Sequence, residues 1–289
     1  MKRINTPSHL KSELLKQEGK TIGMVPTMGA LHTGHASLVK KSVKENDLTV
    51  VSIFVNPTQF NKPDDLVKYP RTLDADLEIL SGILGTDDIV FTPEAADIYS
   101  GEKIPTVDLG HLDTIMEGKH RPGHFMGVVR IVKILFDLCR PVRAYFGRKD
   151  FQQLAVIKTM VKQTGLKTKI IGCPVVREAN GLAMSSRNAR LTAETREKAG
   201  IIYDTLKKYS EQSVPFDVKE LKEKVMGDIN ASGDFYVEYF EIVDDDELQP
   251  VNSHKDIIRG KDYTGCVAVY AGDVRLIDNI KFSFGFSKG

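Results

Sequence analysis

Residues 21–35, TIGMVPTMGALHTGH, lead from a short apolar run into a segment of glycine, threonine and histidine. The run TIGMVP predicts a β-strand, and the helical pattern that starts at Ala36 predicts a helix directly after the segment. A strand that turns into a helix in this way is the unit from which parallel sheets are built. Because such sheets bind ligands at the carboxyl ends of their strands, residues 27–35 are the first candidate for a site.

The same alternation of strand and helix continues to about residue 176. Further strands are predicted at LTVVSIFVN (48–56), DIVFTP (88–93), AYFG (144–147) and TKIIGCPVV (168–176), with helices at about 36–45, 72–84, 124–139 and 151–164. The helix at 124–139 carries its polar residues in one narrow stripe, so the rest of its surface should be buried against the sheet or a second subunit. We predict an α/β fold with a Rossmann-like, doubly wound parallel sheet.

After residue 190 the pattern changes to charged amphipathic helices followed by strand-like runs. The helices are TAETREKAGIIYDTLKKYS (192–210) and FDVKELKEKVMGDINA (216–231), and the runs are FYVEYFEIV (235–243) and CVAVYAGDVRLIDNIKF (266–282). This order predicts a smaller α+β domain. We place the Rossmann-like domain at 1–178 and the C-terminal α+β domain at 179–289, and we note that the first 20 residues have a polar, helical pattern.

The composition of the 289-residue chain excludes several classes of protein. Its 40 Lys and Arg residues balance 39 Asp and Glu residues, which gives no overall positive field for holding a nucleic acid. No stretch has the length and apolarity of a membrane span, and the N-terminus lacks the apolar core of a signal peptide. The three cysteines lie far apart without a C-x-x-C pair, which argues against a disulfide framework. We therefore expect a cytoplasmic protein without nucleic-acid or membrane partners.

The segment after the first strand has the residues of a phosphate site. Gly29 and Gly34 allow close approach of the backbone, and Gly34 lies where the N–H groups of a helix N-terminus are available to an anion. His32 and His35, three residues apart, can aim ring N–H donors at the same phosphate. A turn with incidental polar residues is the alternative; a zinc site is weaker, because no third ligand lies near in the sequence. The chain has neither a P-loop nor a G-x-G-x-x-G motif after this strand.

Polar residues also follow the second and fourth strands. Asn56 and Gln59, which flank Pro57, suit a substrate with hydroxyl and carboxylate groups, and an Asn-Pro turn explains them equally well. Lys149 follows the fourth strand and could neutralise charge during phosphoryl transfer, whereas the alternative is a solvated cluster in which Asp150 caps the next helix. Gln153 falls on the first turn of that helix.

A glycine-containing segment with two serines and an arginine, REANGLAMSSRNARL (177–191), follows the fifth strand. Ser185, Ser186 and Arg187 resemble a mobile clamp for phosphate, and the alternative is a simple linker. Length and position favour the clamp.

Together these segments resemble one family. HTGH is similar to the H-x-G-H signature of the nucleotidyltransferase superfamily that includes class I aminoacyl-tRNA synthetases, and MSSRN resembles its second signature. The order PTMGALHTGH, FVNPTQF, YPRT, RPGHF, YFGRKDFQQL and REANGLAMSSRN is similar to that of the pantoate–β-alanine ligases. These motifs span residues 24–190, and the tail matches only as a smaller lid domain.

The resemblance implies an AMP-forming ligase that works in two steps. The carboxylate of (R)-pantoate attacks the α-phosphorus of ATP to give pantoyl adenylate and pyrophosphate, and the amine of β-alanine then attacks the acyl carbon to give pantothenate and AMP. Mg²⁺ accompanies ATP, and the active form is a homodimer. A nucleotidyltransferase that acts on a phosphorylated acceptor is the alternative. It would need a cationic pocket for the acceptor phosphate, whereas Asn56 and Gln59 offer amides.

The resemblance also implies roles for single residues. The catalytic set is His32, His35, Lys149 and Arg187, and pantoate is held by Asn56, Gln59 and Gln153, with Gln59 also near β-alanine. The residues implied to bind ATP are Met28, Gly29, Ala30, Leu31, His32, Thr33, Gly34, His35, Gly147, Arg148, Lys149, Asp150, Val176, Met184, Ser185, Ser186 and Arg187. Arg148 stands where the family pattern has an acidic residue, and we expect its side chain to point outward.

Overall fold

The computed structural model describes residues 1–100, 106–211 and 217–284 of the chain. The chain forms two compact units. The first contains Met1–Arg148 and Gln152–Pro174, and the second contains Lys149–Phe151 and Val175–Gly289. The three residues at 149–151 therefore belong with the second unit, although they follow directly on a strand of the first.

The first unit is built on a six-stranded sheet. Its strands are β1 (Lys2–Ile4), β2 (Ile22–Thr27), β3 (Leu48–Ile53), β4 (Ile89–Phe91), β5 (Arg143–Gly147) and β6 (Lys169–Cys173). They lie in the order β1-β4-β3-β2-β5-β6, and each neighbouring pair is parallel. The predicted parallel sheet is confirmed. Strand β1 was not predicted, because its three residues, two of them charged, do not show the alternation of a longer strand.

Eight helices connect these strands within the described residues. They are α1 (Pro7–Leu15), α2 (Thr33–Glu45), α3 (Pro63–Lys68), α4 (Leu73–Ser81), α5 (Ala95–Tyr99), α6 (Met116–His120), α7 (His124–Cys139) and α8 (Phe151–Thr164). The bounds predicted for α7 and α8 are confirmed. The short helices α3, α5 and α6 were not predicted, since fewer than two turns give no readable period.

Helix α7 lies inside the first unit, where it packs against α1 and β2. Most of its residues are buried, and Asp137 is its one exposed residue. The two alternatives for its apolar surface are therefore resolved in favour of the chain's own core. The idea that this helix offers a surface to a second subunit is wrong, because that surface is already covered.

The order of the strands locates the point where ligands bind in this class of sheet. From β2 the chain proceeds to β3 and β4 on one side, and it then returns to place β5 and β6 on the other side. The winding direction therefore reverses between β2 and β5, and the crevice at their carboxyl ends is the usual binding position. Residues 28–35 follow β2, and Arg148 follows β5.

The second unit is a three-stranded antiparallel sheet with helices packed on it. Its helices are α9 (Ala193–Lys198), α10 (Ile201–Glu211) and α11 (Val218–Asn230), and its strands are β7 (Tyr236–Asp244), β8 (Tyr263–Ala271) and β9 (Val274–Phe282) in the order β7-β8-β9. Apolar side chains of α10 and α11 form one core with the sheet. The predicted α+β character is confirmed, and Phe216, the first residue of one predicted helix, lies outside the described residues.

The helix predicted over 192–210 is divided between α9 and α10 at Gly200. A Cβ atom on Gly200 would lie 2.4 Å from the carbonyl oxygen of Asn180, so a close backbone contact occupies this position. In the described part of the chain, no helix combines the length and the apolarity that crossing a bilayer requires.

Candidate active site

The loop between β2 and α2 adopts a conformation that requires glycine. Gly29 has φ +80° and Ala30 has φ +47°, so two successive residues lie in the left-handed region. A Cβ atom on Gly29 would lie 2.9 Å from Asp76 Oδ2 and 3.1 Å from a methyl of Ile53. Only glycine avoids both the backbone strain and the contact.

The Asp76 carboxylate holds this loop in place. Its Oδ2 accepts a hydrogen bond from the Ala30 N–H at 2.9 Å, and its Oδ1 accepts one from the Leu31 N–H at 2.7 Å. Asp76 is 1% exposed, and Thr72 also donates to its Oδ1. A buried carboxylate with several donors is a strong anchor, because hydrogen bonds to charged groups exceed neutral ones in strength. We did not predict Asp76 as a site residue.

A signal for Asp76 was available in the sequence of α4. Leu73, Leu77 and Leu80 mark the apolar face of the helix, and Asp76 falls on the same face. A carboxylate on a buried face needs partners from elsewhere in the fold.

The two histidines of the loop lie side by side but have different local roles. His32 is the N-cap of α2, and its Nδ1 accepts a hydrogen bond from the Gly34 N–H at 3.1 Å. Its ring is therefore the tautomer that carries hydrogen on Nε2, which leaves Nε2 as a donor. The ring centroids of His32 and His35 are 4.1 Å apart, with an angle of 33° between the planes. The structure thus brings the two predicted donors together at the start of a helix.

Gln59 lies against the same loop. Its Nε2 donates to Met28 Sδ at 2.9 Å, and its Oε1 accepts from Asn56 Nδ2 at 3.0 Å. Asn56 is 1% exposed and its amide is fully engaged: Nδ2 also donates to the Gly127 carbonyl, while Oδ1 accepts from Thr58 and from Tyr99. Burial raises the pKa of the Tyr99 hydroxyl, which keeps it protonated as a donor. Asn56 therefore orients Gln59.

The backbone of Gln59 is held from α7. His124, 6% exposed, donates from Nδ1 to the Gln59 carbonyl at 2.7 Å, since a carbonyl oxygen only accepts. Arg121 donates to His124 Nε2 at 3.3 Å, which fixes the neutral tautomer. The RPGHF segment, residues 121–125, thus supports Gln59. Its distance in sequence from Gln59 hid this role.

Gly127 allows α7 to cross residues 58–59 at very short range. A Cβ atom at this position would lie 2.3 Å from the Thr58 carbonyl oxygen and 2.7 Å from the Cα atom of Gln59. Backbone atoms cannot rotate away as a side chain can. We expect Gly127→Ala to displace Gln59 and to lower the free energy of unfolding by about 1–3 kcal/mol, the usual cost of overpacking. Urea denaturation measures this change.

Gly227 in α11 provides the matched control, because no atom lies within 4 Å of the position of its added Cβ. Gly227→Ala is expected to raise the free energy of unfolding by about 0.5–1 kcal/mol through helix propensity alone. Equal effects of the two substitutions would contradict the close contact at Gly127.

Two adjacent glutamines at the start of α8 differ in the hydrogen bonds that their side-chain amides make. The Gln152 amide is buried, accepting from the Glu117 N–H and donating to the carbonyls of Leu112 and Ile115. Gln153 is half-buried, and among the described residues its amide has no hydrogen-bond partner. Gln153, the predicted site residue, is therefore the one whose amide remains available to a ligand.

Arg148 is exposed, as expected, and the stem of its side chain lies beside β6. Its N–H donates to the Cys173 carbonyl at 2.8 Å, which continues the pairing of β5 with β6 by one residue. A Cβ atom on Gly172 would lie 3.3 Å from Arg148 Cγ, so the glycine provides the surface for the stem.

In the second unit, Val176 and Met184 are neighbours. The Met184 N–H donates to the Val176 carbonyl at 2.9 Å, so the intervening residues form a closed loop. Ser185 Oγ accepts from the Arg187 N–H and caps a short 3-10 turn, Ser186–Arg190. Asn188, 2% exposed, donates to the Ala183 carbonyl and to Glu178. The predicted clamp is thus an ordered turn that Asn188 fastens to its own loop.

No cluster of three or more His, Cys, Asp or Glu side chains capable of holding a metal occurs among the residues that the structure describes. A metal ion bound mainly by protein ligands would need such a cluster.

Comparisons with known proteins agree on one family. The model of the family described as pantoate-beta-alanine ligase matches residues 2–281. The chain is 51% identical to the pantothenate synthetase of Azobacteroides pseudotrichonymphae, covering 98% of this chain and 100% of that protein, and 53% identical to that of Phocaeicola vulgatus, covering 98% and 99%.

Solved structures show the same relationship. The chain is similar to a pantothenate synthetase from Thermus thermophilus, with a TM-score of 0.89, 38% identity, and coverage of 98% of this chain and 100% of that one. It is also similar to a pantoate-beta-alanine ligase from Francisella tularensis, complexed with beta-gamma ATP and beta-alanine. For that structure the TM-score is 0.79 and the identity 37%, with 97% of each chain covered.

Proposed function

The chain belongs to the pantoate–β-alanine ligase family, and from this premise we propose that it makes pantothenate through a pantoyl adenylate. It is a ligase that joins pantoate to β-alanine and uses ATP as a substrate. The observation that supports the adenylate route is the hydrogen bond between Gln59 and Met28. An amide suited to an acid lies against the loop suited to phosphate, so the carboxylate and the α-phosphorus would lie close together.

The chemistry proceeds in two displacements. A carboxylate oxygen of pantoate bonds to the α-phosphorus of ATP, and the bond from that phosphorus to the bridging oxygen breaks, which releases pyrophosphate. The amine nitrogen of β-alanine then bonds to the acyl carbon, loses a proton, and displaces AMP. A free carboxylate is a poor acyl donor, and adenylation supplies the leaving group. The protein's task is mainly to position the reactants and stabilise charge.

The residue roles in this proposal are those that the family resemblance implies. His35 and the Nε2–H of His32 donate to the phosphates at the N-terminus of α2, which favours negative charge. Lys149 and Arg187 provide positive charge for the departing pyrophosphate, with Ser185 and Ser186 as further donors. Backbone groups of residues 28–35, 147–150, 176 and 184–187 complete the nucleotide contacts.

The substrate acid is bound by the amides of Gln59 and Gln153, and β-alanine binds near Gln59. Asn56, which was predicted to contact pantoate directly, is assigned instead to orienting Gln59, because its amide is satisfied within the protein. Asn56 and Gln59, two amides three residues apart, therefore have different roles in this proposal.

The adjacent glutamines of α8 make a matched test of the pantoate site. Gln153→Ala is expected to raise the pantoate KM about tenfold, the loss of one hydrogen bond worth roughly 1.4 kcal/mol, without changing thermal stability. Gln152→Ala is expected to lower the melting temperature, since it leaves three backbone groups, two of them in buried hydrogen bonds, without their partner. Steady-state kinetics and thermal unfolding of both variants check this, and a reversed pattern would exchange their roles.

Mg²⁺ enters with the substrate as the MgATP complex. Mg²⁺ commonly binds through substrate phosphates and one or two carboxylates, which agrees with the lack of a ligand cluster among the described residues. The proposed active form is a homodimer, for which sedimentation should give twice the 32.2 kDa chain mass. The proposed location is the cytoplasm, since all three cysteines are free and buried.

The adenylate route is tested by mixing the enzyme with MgATP and pantoate in the absence of β-alanine. The proposal predicts a burst of one pyrophosphate per active site. Pyrophosphate release that requires β-alanine would overturn the two-step scheme. The alternative nucleotidyltransferase reaction is not favoured by the comparisons, and it would instead consume a phosphorylated acceptor.

A further inference from the structure

A side chain of the C-terminal strand β9 holds the backbone of Lys149. Asn279 Nδ2 donates to the Lys149 carbonyl oxygen at 2.8 Å, and Asn279 is 8% exposed. The two residues are 130 positions apart in the chain, but both belong to the second unit.

The strand that carries Asn279 is itself firmly anchored beside it. Asp278 is buried and accepts two hydrogen bonds from the Arg177 guanidinium, at 2.5 and 3.0 Å. Arg177 also donates to the carbonyls of Asn279 and Gly181, and its guanidinium lies 3.8 Å from the centre of the Tyr203 ring. The Asn279 N–H donates to Asp278 Oδ1 at 2.7 Å. Asn279 therefore reaches Lys149 from a rigid support.

Fixing the Lys149 carbonyl has a consequence for its ammonium group. The hydrogen bond sets the orientation of the peptide plane after Lys149, and this plane limits the direction of the Cα–Cβ bond. Lysine is a point charge on a flexible four-carbon stem, so the direction in which the stem leaves the backbone determines where the charge is available. Groups that stabilise a transition state are effective when they are oriented before the reaction.

We propose that Asn279 is a positioning residue for Lys149 in adenylate formation, acting through the hydrogen bond to the Lys149 carbonyl. The inference rests on the proposed function, in which Lys149 stabilises charge on the departing pyrophosphate. With Asn279, the set of residues that serve adenylate formation includes one on strand β9, which lies outside the motifs at 24–190.

The test uses Asn279→Leu, which keeps the size of the side chain and removes the donor. The rate of pyrophosphate release in a single turnover is expected to fall about 10- to 100-fold, the range for a misplaced catalytic group, while the pantoate KM stays unchanged. In a Lys149→Ala background, Asn279→Leu is expected to cause no further loss, because residues that act through one another are not additive. Asn279→Ala replaces the leucine variant if the latter does not accumulate as folded protein.

Asn230→Leu is the matched control. Asn230 Oδ1 accepts a 2.8 Å hydrogen bond from the Val237 N–H of the same unit, so its side chain is likewise bound to backbone, and it makes no bond to Lys149. It is expected to retain the wild-type rate.

The results distinguish the positioning role of Asn279 from the catalytic role of Lys149. A wild-type rate in Asn279→Leu, or an equal loss with and without Lys149, would overturn the positioning role. A wild-type rate in Lys149→Ala would instead overturn the role of Lys149 itself.

Discussion

Replacing His35 by alanine is expected to lower the rate of adenylate formation about 10²–10³-fold, the usual loss when one oriented donor to a transition state is removed. The ring of His35 lies 4.1 Å from that of His32 at the N-terminus of α2. The cap of this helix is His32 and not His35, so stability should change little. Rapid-quench measurement of pyrophosphate, together with thermal unfolding, checks both parts.

His32 provides an informative comparison, since it is both a predicted donor and the N-cap of α2. His32→Ala is expected to lower both the rate and the free energy of unfolding, the latter by about 1 kcal/mol, the usual value of a cap. His9→Ala, at an exposed position on α1, is the control that should change neither. Near-normal turnover of the His35 variant would show that its assigned role is wrong.

Replacing Asp76 by alanine is expected to disrupt the phosphate loop from outside the motif. The change removes the acceptors of the Ala30 and Leu31 N–H groups and leaves the left-handed turn at Gly29 and Ala30 without its anchor. Hydrogen bonds to a charged group contribute about 1.5–3 kcal/mol each, so we expect a loss of about 3 kcal/mol in the free energy of unfolding. Adenylate formation by the remaining folded enzyme should fall at least about 10²-fold, because the donors lose their geometry.

Asp74→Ala is the matched control, because Asp74 lies in the same first turn of α4 but is exposed. Its effect on stability should stay within about 0.5 kcal/mol, as for most surface substitutions. Urea denaturation and single-turnover kinetics compare the two variants. If Asp76→Ala and Asp74→Ala behave alike, the anchor role of Asp76 is contradicted.

Much of the fold could be predicted from local pattern. The helices α7 and α8 are long and periodic, and the short run TIGMVP is apolar, so their own residues indicate their backbone state. Strand β1 depends on pairing with β4, which lies more than 80 residues away, and its three residues carry no such signal. The division of α9 from α10 likewise depends on the contact of Gly200 with Asn180.

In the candidate site, too, the features that depend on nearby sequence could be predicted and those that depend on distant contacts could not. The sequence pattern predicted that His32, His35 and Gln59 lie at strand ends, because glycines and turn residues nearby in the sequence mark where those strands end. The residues that hold them, Asp76 and His124, act from other helices across the fold. Asn56 shows the intermediate case: its position after β3 was predictable, but its commitment to internal hydrogen bonds depends on Tyr99 and Gly127.

The most direct test of the adenylate route follows one oxygen atom. Pantoate labelled with ¹⁸O in its carboxylate is converted in the presence of MgATP and β-alanine, and the AMP is analysed by mass spectrometry. In the proposed route the attacking carboxylate oxygen stays on phosphorus when the amine displaces AMP, so each AMP should carry one labelled oxygen. AMP without the label would contradict attack of pantoate on the α-phosphorus.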